Sequence, residues 1–134
     1  MDRYGRTPLH YAAADGNEVE VRQLLSSGAN PNDQDDNGWA PLHFAAQAVS
    51  GGVTKVLLEA GADTELEDSF GNTPLWRAAM NSKGDGTVIV LLRQAGANPY
   101  ANNKSGSSPV AVARTIANFD VSQFFSDLPA IESD

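Results

Sequence analysis

Apolar side chains fall in short bursts that return at an even spacing along the chain. Val21, Leu24 and Leu25 make one burst, and Val56, Leu57 and Leu58 the next. Val88, Ile89, Leu91 and Leu92 follow, then Val121, Phe124 and Phe125. Before each of the first three lies an alanine pair, Ala12-Ala13, Ala45-Ala46 and Ala78-Ala79. The pattern predicts two helices per unit, a slim first helix that permits close stacking and a bulkier second one. Prolines at 8, 41, 74 and 109 mark the phase and stand 33, 33 and 35 residues apart. No unit buries its apolar face alone, so consecutive units must stack.

Polar residues set the ends of these helices. Asp35-Asp36-Asn37-Gly38 has the composition of a tight turn, with Asp to start it and Gly for positive φ. Asp2-Arg3-Tyr4-Gly5, Asp68-Ser69-Phe70-Gly71 and Asn103-Lys104-Ser105-Gly106 match it. Thr7 and Thr73 precede proline and are expected to cap a helix, as is Ser108; Ala40 is expected to cap poorly. Gly28, Gly61 and Gly96 fit the left-handed residue that closes a helix. Unit three is longer by two residues. Its polar run Asn81-Ser82-Lys83-Gly84-Asp85-Gly86 reads as a widened loop, either a contact element or a tolerated insertion.

The recurring segments Thr7-Pro8-Leu9-His10, Ala40-Pro41-Leu42-His43, Thr73-Pro74-Leu75-Trp76 and Ser108-Pro109-Val110-Ala111 resemble the ankyrin repeat, as do the closing runs at 28–30, 61–63 and 96–98. The resemblance implies an all-α ankyrin-repeat solenoid of four stacked helix-turn-helix units with β-turn fingers, the last a degenerate cap. The units run 2–34, 35–67, 68–102 and 103–128, in one domain over 1–128, with a frayed tail at 129–134. The second helix of unit four is expected to hold Val121, Phe124 and Phe125. The first finger, with no complete finger before it, is expected to be loosely ordered. By the same resemblance, His10 and His43 bond the preceding residue and tie neighbouring turns together. Trp76 stands where a third histidine belongs, so that tie is expected to give way to packing.

Composition narrows the function. Seventeen acidic side chains against nine basic ones give a net charge of −8. That argues against nucleic acid as a direct ligand and favours a basic partner or simple solubility. Between Asn30 and Asn72, eight acidic residues face a single base, Lys55. With no cysteine there is no disulfide framework or thiolate metal site. No apolar run suits a membrane span or leader, and a cytoplasmic, monomeric protein is expected. Asp33-Gln34-Asp35-Asp36-Asn37-Gly38 copies half a calcium loop, but Phe44 stands where the bidentate carboxylate must be. No catalytic constellation is found, and neither an enzyme nor a cofactor is expected. Asn103-Lys104-Ser105 is a formal glycosylation sequon that matters only outside the cell.

Residues that vary between units carry the recognition reading. The resemblance implies that residues beside the turn glycine, and those ending the first helix, line a concave binding surface. Carried over by phase, the partner-binding candidates are Tyr4, Arg6, Asp36, Asn37, Trp39, Gln47, Ser69, Phe70, Asn72, Trp76, Arg77, Met80 and Asn81. Tyr4, Trp39 and Phe70 are read as aromatic anchors in an acidic surround of Asp33, Asp35, Asp36, Glu65, Glu67 and Asp68. Loss of the Trp39 ring is expected to weaken binding and leave folding little changed. The alternative is that Trp39 folds back as local packing. Arg77, Lys83 and Asp85 are expected to cluster at the widened loop.

A narrower likeness covers about residues 73–125. T-P-L-W-R-A-A-M-N-S-K-G, followed by N-N-K-S-G-S-S-P-V-A-V-A-R-T-I-A-N-F-D-V-S-Q-F-F, is similar to small stand-alone bacterial ankyrin proteins encoded beside polymorphic toxins. It implies an immunity protein that neutralises a cognate toxin or enzyme by covering its active site. A general adaptor or scaffold in a larger assembly is the alternative.

Overall fold

The structure, a computed structural model, describes residues 3–116 and 118–129. Seven helices follow in order: α1 (Pro8–Ala14), α2 (Glu18–Ser26), α3 (Pro41–Gln47), α4 (Gly51–Glu59), α5 (Pro74–Asn81), α6 (Thr87–Gln94) and α7 (Pro109–Thr115). A 3₁₀ turn, Val121–Phe125, closes the chain's order, and no strand occurs among the described residues. The odd-numbered helices pack in one row and the even-numbered in a second, each odd helix also packing on its even partner. This is the all-α solenoid of stacked helix pairs that the resemblance implies. Asp2, expected to open the first turn, and all but the first residue of the expected tail at 129–134 lie outside the described residues.

The alanine pairs set the row spacing. Ala12, Ala13, Ala45, Ala46, Ala78 and Ala79 are all buried, so backbone approaches backbone between α1, α3 and α5. Leu57, Ile89 and Leu92 fill the space between the rows. In α2, Glu20 and Gln23 hold positions that Val53 and Val56 hold in α4, 33 residues on. That flank of α2 is therefore polar, and it lines an open depression of about 330 Å³. Leu24, which lines it, is consequently only partly buried.

Helix starts follow two rules. Thr73 and Ser108 accept the third-residue N–H, from Trp76 (3.4 Å) and Ala111 (3.2 Å). Thr7 departs from expectation, because its hydroxyl lies 3.0 Å from His10 Nδ1 and caps no helix N–H. Ala40 has no oxygen to offer, yet α3 starts in register because His43 Nδ1 accepts the Ala40 N–H at 3.0 Å.

Those histidines then reach the next turn. Since Nδ1 accepts from Thr7 N–H (2.9 Å) or Ala40 N–H, the proton sits on Nε2. His10 Nε2 donates to the Trp39 carbonyl at 2.9 Å, and His43 Nε2 to the Asn72 carbonyl at 2.8 Å. Trp76 was expected to break this series. Instead its indole N–H donates to Ser107 Oγ at 3.3 Å, in the corresponding turn. Tryptophan carries its own donor, and a hydroxyl meets it.

The last unit differs from expectation. Its second element is a 3₁₀ turn of five residues and not an α-helix. A 3₁₀ coil places residues three apart in line, here Val121 and Phe124. Val121 and Phe125 are buried in the core, while Phe124 covers Gly86 of the widened loop and Phe119 covers Gly84. The loop is thus the seat of the C-terminal aromatics. Arg93 fastens the same segment, with both Nη atoms on Asp127 (2.6 and 2.8 Å) and one on the Phe124 carbonyl (2.9 Å).

Two predictions follow from these contacts. A Cβ at residue 86 collides with the Phe124 ring although the backbone there, at φ −86°, accepts any residue. Gly86→Ala is therefore expected to lower stability by about 1–3 kcal/mol in urea unfolding; an unchanged midpoint shows that the ring is not seated on the loop. His43 is buried, and burial holds its pKa below the ordinary value of 6.5. The unfolded chain then takes up a proton first as pH falls through about 6.5, and stability drops by up to about 1.4 kcal/mol per pH unit. Urea unfolding at pH 7 and pH 5 checks this, and His43→Gln should show the smaller difference.

Candidate functional site

The site is built on the turns. Asp35 Oδ1 accepts the N–H groups of Asn37 (2.9 Å) and Trp39 (2.8 Å), and Asp68 Oδ1 those of Phe70 (2.9 Å) and Asn72 (3.0 Å). Asn103 Oδ1 does the same for Ser105 and Ser107, both at 2.9 Å. Each turn is also pinned to the one before it. The Asp36 N–H donates to the Tyr4 carbonyl (2.8 Å), Ser69 N–H to Asn37 (2.9 Å), and Lys104 N–H to Phe70 (2.9 Å). The fingers stack so closely that a Cβ on Gly38 would lie 2.8 Å from Asp68 Cα. Residues 3–6, expected to be loose, are therefore fixed by Tyr4 and by the Arg6–Asp35 pair.

The second oxygen of each buried aspartate faces a guanidinium. Arg6 Nε lies 3.2 Å from Asp35 Oδ2, and Arg77 places Nη2 at 2.7 Å and Nε at 3.2 Å from Asp68 Oδ2. Both aspartate side chains are fully buried. The aromatic surround is accordingly not an acidic one at this point: Asp35 and Asp68 sit behind the surface, each matched by arginine. Asp33, Asp36, Glu65 and Glu67 remain exposed. The calcium-like stretch is likewise committed, since Asp35 spends its oxygens on two N–H groups and on Arg6. Asn103 of the formal sequon is engaged through both amide atoms, its Nδ2 donating to Asn72 Oδ1 at 2.8 Å.

Rings and guanidinium groups alternate in the crook between fingers and odd-numbered helices. Arg6 Cζ lies 4.9 Å from the Tyr4 ring centre, 5.8 Å from Tyr11 and 5.2 Å from Phe44. Phe44 packs on Trp39 at 4.8 Å, and Arg77 Cζ lies 4.4 Å from Trp39 and 5.4 Å from Trp76. The result is a strip that runs from the first finger to α5. Each exposed cation–π contact contributes about 0.5–1 kcal/mol, and desolvated ones more.

The candidate residues distribute unevenly over this surface. Tyr4 is 46% exposed and Phe70 65%, each at a finger tip, with Asp36, Asn37 and Ser69 exposed beside them. Met80 is 54% exposed at the end of α5, and Gln47 helps line a shallow groove of about 200 Å³ with Ala14, Phe44 and Ala48. Arg6, Trp39, Trp76, Arg77 and Asn81 are half-buried. Asn72 does not face solvent: it is 4% exposed and links its own turn, α3 and the next turn through its N–H, carbonyl and carboxamide. Asn81 turns its Nδ2 back onto the Arg77 carbonyl at 2.8 Å. Nor does Arg77 cluster with Lys83 and Asp85, because Asp68 and two indoles hold it; Asp85 instead accepts Thr87 N–H and Oγ1–H at the head of α6.

Tyr11 and Phe44 were not among the candidates, yet both belong to the strip. They sit 33 residues apart at one phase of the first helix, which continues to Arg77. Variation at that phase, aromatic then cationic, was the available signal.

Trp39 is half-buried and packs between Phe44 and Arg77. Trp39→Ala is expected to cost about 2 kcal/mol of folding stability through lost ring contacts. Chemical unfolding checks this; an unaltered midpoint returns the ring to the role of a free anchor.

No cluster of three or more potential metal ligands occurs among the described residues, and none of the described helices is long and apolar enough to cross a membrane. Residues 1–68 match the family model described as ankyrin repeats (3 copies), and residues 70–104 match the model described as ankyrin repeat. These matches span more than half of the chain and agree with the stacked helix pairs and bonded fingers. The chain belongs to the ankyrin repeat family, whose repeats form protein–protein interaction modules.

Proposed function

We propose that this protein recognises one protein partner through its finger tips and the adjoining crook, and that it neutralises that partner, a toxin or enzyme domain, by covering its active surface. The observation that carries the reading is the pair of large rings, Tyr4 and Phe70, held out from finger tips whose backbones are bonded to their neighbours. Phe70 stacks on no ring or cation among the described residues, whereas an aromatic on a fixed backbone is a strong interface anchor because less entropy remains to be lost on binding. The neutralising role is supported by the likeness of residues 73–125 to toxin-associated ankyrin proteins. Exposed Asp33, Asp36, Glu65 and Glu67 support a partner with a basic rim, met in the cytoplasm by one copy of this chain.

Co-expression with the product of an adjacent toxin gene tests the role. Protection of the cells and a one-to-one complex are expected. Absence of protection, with weak capture of several proteins instead, supports a general adaptor. Within the complex, Phe70→Ala is expected to cost about 2 kcal/mol or more of binding, with the unfolding midpoint retained. Calorimetric titration reads the first and thermal unfolding the second.

A further inference from the structure

We propose that the partner inserts a carboxylate, set within a basic surface, against the guanidinium of Arg77. The inference rests on the binding reading above and names the chemistry at the centre of that face.

Arg77 has five N–H donors. Asp68 takes those of Nε and one on Nη2, and among the described residues Nη1 makes no hydrogen bond. Trp39 and Trp76 flank the group at 4.4 and 5.4 Å, and the side chain is 17% exposed. Its rotamer is thus fixed before any partner arrives, so the entropy that a mobile arginine loses on binding is largely spent already. Arg93 offers the contrast, with Nη1 bonded to both Asp127 and the Phe124 carbonyl and Nη2 bonded to Asp127.

The surroundings select the ligand. Met80, one helical turn from Arg77, and Phe70 at the tip of the same finger supply exposed apolar area. A desolvated guanidinium edge binds a carboxylate through charge-assisted hydrogen bonds. Asp33, Asp36 and Glu67 are exposed on the neighbouring fingers and repel a polyanion. One acid among bases on a protein surface satisfies both signs: its carboxylate meets Arg77 and its cations meet the acidic fingers.

Random dodecapeptides displayed on phage and selected on the full chain provide the probe. Binders that are lost on Phe70→Ser define peptides at this face. They are expected to carry Asp or Glu beside Lys or Arg. Exchanging that acid for its amide should weaken binding about tenfold, and Arg77→Lys should weaken the parent peptide alike but the amide peptide no further. Where Arg77→Lys fails to fold, the amide exchange on the unaltered chain decides. If the amide binds as well as the acid, or if the peptides lack acids, the carboxylate proposal falls and the binding reading stands. If no selected peptide responds to Phe70→Ser, both fall.

Discussion

A carboxylate buried at the head of a finger is the constraint to which the surrounding structure answers. Asp35 and Asp68 each fold a turn by accepting two backbone N–H groups on one oxygen, which takes the side chain out of water. A buried charge is tolerable only when paired, and removing one partner of such a pair costs about 3–5 kcal/mol. Arg6 and Arg77 are therefore fixed by the turns they neutralise. Their origins differ, since Arg6 reaches forward from the previous finger while Arg77 reaches back from the helix of its own unit. What is shared is the destination, a guanidinium in the crook. Asn103 shows the converse: a neutral amide folds the fourth turn equally well, and its spare NH₂ goes to Asn72 with no arginine required.

Once the guanidinium groups are fixed, the aromatic strip is a consequence. A planar cation half out of water lowers its free energy against the face of a ring. Tyr4, Tyr11 and Phe44 supply faces around Arg6, and Trp39 and Trp76 around Arg77. Trp39 is thereby drawn inward. Tyr4 and Phe70, one residue before their turn glycines, stay exposed at the tips, Tyr4 with one face toward Arg6.

The repeat itself was legible in the sequence because it depends on residues that recur: proline at the helix start, alanine where rows touch, leucine between rows, glycine where the chain reverses. The histidine tie was implied by the resemblance to the ankyrin repeat. Illegible were interactions made across units by residues that do not recur. Nothing local says that Asp68 will hold Arg77, nine positions on, or that Trp76 will find Ser107. The finger reading failed at Asn72 for a related reason. It shares the phase of Trp39 and Ser107, yet its short carboxamide is buried and accepts from Asn103 of the next turn. The closing 3₁₀ turn was likewise beyond reach, because Phe124 pairs with a glycine in the previous unit.

These same pairings separate the net charge of the chain from the polarity of its face. A total of −8 suggests an acidic surface throughout. But two acids are consumed inside the fingers, and their counter-charges stand in front of them. What a partner meets is a cationic and aromatic crook between finger tips that carry the remaining acid. Long-range attraction is set by the net charge, which falls off over about 10 Å at ordinary salt, while the local pattern governs fit after contact. On the binding reading proposed above, a basic protein is drawn in by the first, and one whose surface inverts the second settles on it.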